Sequence, residues 1–186
     1  QEELDKQNRE LTKQENALRD YNIKNLVINY EEQTRVIVER ESDVNTRYVS
    51  ALTAYRAAVS VRESLEEKLD DIQTYKNNAL FLEKLRDVST LYSSVSASSV
   101  DLSGSHEIDS SALKIVSDRK KMISSKTKEL HDVMTDISNQ KYTKEGLLSG
   151  DILDKWFNAL LEESRAKAEL EVLDATLKSI VDDYVR

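Results

Sequence analysis

Between Ile23 and Ala79 the chain steps alternately by four and three through Ile23, Val27, Tyr30, Thr34, Ile37, Glu41, Val44, Tyr48, Ala51, Tyr55, Ala58, Arg62, Leu65, Leu69, Ile72, Lys76 and Ala79. Thirteen of these seventeen positions are apolar or tyrosine. A repeat of 3.5 residues keeps one seam of a helix facing a partner helix. Upstream, Leu4, Leu11 and Leu18 recur every seven residues; downstream, Leu82, Leu85 and Val88 follow Ala79 in steps of three. Such a run of threes predicts a locally overwound coil. The pattern therefore predicts a first helical arm over residues 1–92, about 140 Å long at 1.5 Å per residue if unbroken.

A soft segment follows, with nine serines in residues 93–111 and one of only three glycines. Its polarity predicts a tip loop over 93–108 at which the chain turns back. Asp109 suits the N-cap of a return helix over 109–143, with Ile108 and Leu113 placed as a staple around it. That helix carries its own seam at Leu113, Val116, Lys120, Ile123, Thr127, Leu130, Met134 and Ile137. The stretch 144–150 holds the other two glycines and predicts a joint, with Gly146 as a C-cap. A last helix over 151–186 runs through Leu153, Trp156, Leu160, Leu170, Leu173, Leu177, Ile180 and Tyr184. The expected fold is all-α: one helical domain built as a long antiparallel hairpin or coiled coil. The alternative is a compact four-helix bundle, in which the poor helix formers of residues 41–47 turn the first arm.

Composition supports the helical reading and narrows the chemistry. The 186 residues include no proline or cysteine, while 33% are charged. Chains of this kind read as long helices, and the lack of cysteine excludes disulfides and thiolate metal sites. The formal charge of −8 argues against nucleic-acid or anionic-membrane partners, both of which favour Lys/Arg-rich faces. No apolar run approaches membrane-spanning length. A soluble, cytoplasmic protein is expected. The chain starts without methionine and reads as helical at both ends, which suggests a piece of something longer.

Catalytic motifs are lacking. Three scattered glycines build no phosphate loop. His106 and His131 are the only histidines, and neither has a glutamate three residues before it to make a Glu-x-x-His carboxylate site. Neighbouring acids such as Glu66 and Glu67, or Glu162 and Glu163, do not share a helix face and read as solvated charges. No catalytic, cofactor or metal residue is assigned, and an enzyme is not expected.

Two binding surfaces are expected. If the fold-back centres near Asp101, residues whose numbers sum to about 202 face each other. That arrangement brings Trp156 and Phe157 beside Tyr48, Val49, Leu52 and Tyr55, forming either an internal core or a protein-binding node. The second is a basic patch of Arg119, Lys120, Lys121, Lys126 and Lys128, within a segment (109–144) whose charge is +3 against −5 for 145–186. It reads as a surface for an acidic partner or as a solvated helix face.

The function expected is a non-enzymatic coiled-coil scaffold or spacer, binding protein partners or a second copy of itself within a larger assembly. One alternative is a membrane-binding helical dimer resembling BAR domains, which the negative charge disfavours. Another is an arm similar in general shape to those of chromosome-structural ATPases or secretion adaptor hairpins. No stretch matches a signature of these families.

Overall fold

The structure, a computed structural model, describes residues 2–69, 72–103, 110–142 and 150–185. Five helices follow one another: α1 (Glu2–Glu66), α2 (Ile72–Lys76), α3 (Ala79–Ser103), α4 (Ser110–Tyr142) and α5 (Gly150–Val185). The fold is all-α, as the periodicity predicts. Packing divides the chain into two units, Gln1–Ser42 and Asp43–Arg186, with the boundary inside α1.

In the first unit the described residues belong to α1 alone. Arg35 pairs with Glu32 and Glu39, one turn away on either side, at 2.5 and 2.9 Å. These pairs are exposed and add only a few tenths of a kcal/mol each, roughly, to helix stability. Leu18, Tyr21, Ile23, Val36 and Val38 are exposed along this segment.

The second unit holds the core. Here the seam of α1 behaves as its spacing predicts: Val44, Ala51 and Ala58 are buried, and Tyr48, Tyr55 and Leu65 are half-buried. Cross-helix contacts fix the directions. Arg47 meets Glu169, Arg62 meets Glu163, and Glu66 meets Trp156, so α1 and α5 run antiparallel. Lys84 meets Glu129, and Arg119 reaches Ser94 and Ser98, so α3 and α4 are antiparallel as well. His131 also meets Asp154, joining α4 to α5. The unit thus combines the antiparallel neighbours of a hairpin with four helical segments around one core.

Residues 41–47 do not break α1, which passes through them. The break lies further on, so the expected arm over 1–92 is three helical pieces. Helix α1 tightens at its end, with Lys68 N donating to Leu65 O and Leu69 N to Glu66 O at 3.0 and 3.2 Å. After α2, Asn78 caps α3: its Oδ1 accepts from Phe81 N at 3.0 Å, the bond of an N-cap to the third helical residue. The seam hides this turn because Leu69 and Ile72 are buried within it and keep the four-three spacing while the backbone changes direction. The run of threes at Leu82, Leu85 and Val88 has the same origin. Leu82 is exposed, and the inward face of α3 is Phe81, Leu85, Val88, Tyr92 and Val95, again in fours and threes. No overwinding is needed.

The serine-rich segment also differs from expectation. Residues 93–103 continue α3 instead of forming a loop. Ser93, Ser98 and Ser99 donate to the carbonyls of Ser89, Ser94 and Val95, four residues back, which satisfies their hydroxyls within the helix. Val100 is buried, and packing outweighs the weak helix propensity of serine. The rest of the expected tip, with Asp109, Ile108 and His106, and most of the 144–150 joint, with Gly146, lie outside the described residues. Gly150 opens α5, and a Cβ there would meet nothing within 4 Å.

Candidate functional site

The expected node does not assemble. Trp156 is fully buried and Phe157 nearly so, but the ring contacts of Trp156 come from the 67–81 turn and that of Phe157 from α4. The Trp156 ring stacks on Phe81 with centroids 5.9 Å apart and leans on Tyr75 at 5.8 Å. Phe157 meets His131 edge-on at 5.3 Å. Tyr48 lies eighteen residues, or about 27 Å, before Glu66 on α1, on the side of Lys178. The sum rule fails because the chain turns at 67–78 as well as after 103. Tyr48 and Tyr55 are half-buried on the α1 seam, Leu52 is half-buried beside it, and Val49 is exposed.

A charged network closes over the aromatic cluster. Glu66 accepts from Trp156 Nε1 at 3.1 Å, from Arg62 at 2.8 Å and from Lys76 at 2.6 Å, while Arg62 also donates to Glu163. Glu66 and Glu163 are only 14% and 19% exposed, so they are not the solvated charges that their sequence neighbours suggest. Burial pushes the Glu66 carboxyl upward, but hydrogen bonds from Lys76, Arg62 and Trp156 outweigh it and hold it below its ordinary range. This arrangement fastens α1, α2 and α5 together.

The basic patch is divided among four settings. Arg119 turns inward, donating to Ser94 O at 3.1 Å and Ser98 Oγ at 2.5 Å. Lys121 and Lys126 pair with Asp118 and Glu129 on their own helix. Lys128 is exposed. Lys120 has no ion-pair partner among the described residues and lines a cleft.

That cleft is the site that composition and spacing did not reveal. Its volume is about 330 Å³, and all four long helical segments of the second unit contribute: Arg47 from α1, Tyr92 and Ser96 from α3, Lys120 from α4, Arg165 and Glu169 from α5. Val95, Ser99 and Ile123 complete the lining. Arg47 donates to Glu169 at 3.4 Å, and Arg165 holds Glu162 while standing 4.0 Å from Glu169. Burial raises the Tyr92 hydroxyl above its ordinary range, against a hydrogen bond with Thr127 and the charge of Arg165. The signal was present at one place: Lys120 falls on the seam that spacing assigns to α4, although its side chain is exposed and Arg119 takes the inward position.

Among the described residues, no group of three His, Asp or Glu is placed to hold a metal ion, and no helix is long and apolar enough to cross a membrane. No family model matches the chain, and comparison with curated proteins and with solved structures gives no match.

Proposed function

We propose that the protein is a non-enzymatic helical scaffold that binds protein partners through the α1 segment of its first unit, within a larger assembly. The observation that carries this reading is the exposure of large apolar side chains there, with Leu18 at 62% and Tyr21 at 64%. Scattered surface leucines need no explanation, but these are ordered on the helix. Leu18 and Val36 are eighteen residues apart, five full turns, and Tyr21 lies one turn from Leu18. They share a face. Ile23 and Val38, also exposed, fall on the opposite half. Apolar positions on two sides suit a helix that enters a multi-helix assembly, where each side meets a different helix. A second copy of this chain is one such partner.

Photo-crosslinking residues placed singly at positions 18, 21, 23 and 36 test the reading, with the exposed polar positions 121 and 155 of the second unit as controls. Crosslinked adducts are expected from the apolar positions and not from the controls. Sedimentation at rising protein concentration distinguishes self-association from a foreign partner. Equal yields at all positions, or none anywhere, would overturn the proposal.

A further inference from the structure

We propose that the polar cleft of the second unit binds a small phosphate-class anion at Lys120, Arg47 and Arg165. Three cationic side chains from three helices converge on one cavity of about 330 Å³ whose lining holds a single carboxylate, Glu169. That carboxylate lies between the two arginines, 3.4 Å from Arg47 and 4.0 Å from Arg165. It acts as an internal anion, and loosely, since charge-assisted bonds normally close to about 2.7–2.9 Å. The remaining partner of Arg165 is Glu162, three residues away on its own helix. Lys120 has none among the described residues.

Both arginines already face carboxylates, whereas Lys120 is exposed at the cleft with none among the described residues. An entering anion therefore gains the charge of Lys120 and can replace the loosely held Glu169 between the arginines. A guanidinium fork matches two oxygens of a phosphate, and an ammonium adds a point charge. Ser96 supplies a neutral hydroxyl at the same wall. The volume lies at the lower end of the range of small-ligand pockets, roughly 300–1,000 Å³, and exceeds what one phosphate fills. Tyr92, with its hydroxyl already hydrogen-bonded to Thr127, offers a flat apolar surface for a small organic portion attached to the anionic group.

The geometry fixes the signs of three substitutions. Lys120→Gln removes the unpaired cation and keeps the stem, so affinity falls by about tenfold or more, the loss of one charged hydrogen bond. Arg47→Gln acts in the same direction. Glu169→Gln acts oppositely, because it removes the carboxylate that competes with the ligand. The experiment is calorimetric titration of the full chain with pyrophosphate at low ionic strength, with sodium chloride at matched ionic strength as control and helicity checked by circular dichroism for each variant. The expected result is saturable one-to-one binding, weakened by Lys120→Gln and tightened by Glu169→Gln. Inorganic phosphate should bind at the same place more weakly. Absence of saturable heat, or binding unchanged in Lys120→Gln, overturns the site.

Discussion

Trp156 donates its indole Nε1–H to Glu66, ninety residues earlier, at 3.1 Å, and so ties the start of α5 to the end of α1. The ring is fully buried against Tyr75 and Phe81. It therefore holds the turn at 67–78 in place from the far side of the sequence. Trp156→Ala should destabilise the protein by about 3–5 kcal/mol, the usual range for truncating a buried aromatic, as read from denaturant unfolding. Because Trp156 is the only tryptophan, fluorescence reports this core alone. Its emission should be blue-shifted in the native state and move to the red in one step with loss of helicity.

Acid should loosen the same corner. The Glu66 carboxyl is held below its ordinary value of 4.5, with burial opposing and the donors Lys76, Arg62 and Trp156 prevailing. A depressed folded-state pKa means that the unfolded chain takes up the proton more readily. The contribution to stability is thus fully present above the ordinary value and disappears as pH falls through the lower folded-state value. Glu66→Gln should lower stability at neutral pH and flatten the acid limb of a melting-temperature profile below about pH 4.5. A variant whose acid limb has the wild-type slope would show that other carboxylates govern it.

The helix restart at Asn78 rests on one side chain. Its Oδ1 accepts from Phe81 N at 3.0 Å, and Phe81 is 1% exposed in the core. Asn78→Ala should cost about 1 kcal/mol, and Asn78→Asp should retain most of the cap. Equal unfolding midpoints for Asn78→Ala and the wild type would remove this account of the turn.

These sites show what periodicity can and cannot carry. The all-α fold, the seam of α1 from Val44 to Ala58, and the buried Leu130, Met134, Leu173 and Ile180 follow from spacing and composition. The turn at 67–78 does not, because it uses asparagine capping in place of glycine or proline, and its buried Leu69 and Ile72 keep the helical spacing. Trp156 stands out in the sequence as a large aromatic, but its neighbours depend on where the chain turns. With the turn misplaced, Tyr48 and Tyr55 replace Tyr75 and Phe81 as its expected contacts. The cleft was legible only as a lysine at position 120 of an apolar seam. Its other residues converge from three further helices, which local pattern does not relate.

The serine-rich end of α3 gives a sharper test, since composition and packing point in opposite directions there. A soft loop over residues 93–103 would leave its amides exchanging freely. A helix would protect them, and the structure has a helix whose serine hydroxyls bond to carbonyls four residues back. Arg119 reinforces it from α4 by donating to Ser94 O and Ser98 Oγ, and Val100 is 3% exposed. Hydrogen exchange should therefore show protected amides from residue 93 to about residue 101, with protection fading at the frayed end. Val100→Asp places an unpaired charge in a buried position and should lower the melting temperature strongly, whereas Ala97→Asp, at an exposed position one turn away, should have little effect. Replacing 96–103 by a Gly-Ser linker should cost stability as well, because it removes both Val100 and the Ser98 hydroxyl that accepts from Arg119. If that replacement leaves the melting temperature unchanged and the amides of 93–101 exchange freely, the segment is a loop and α3 ends where the serines begin.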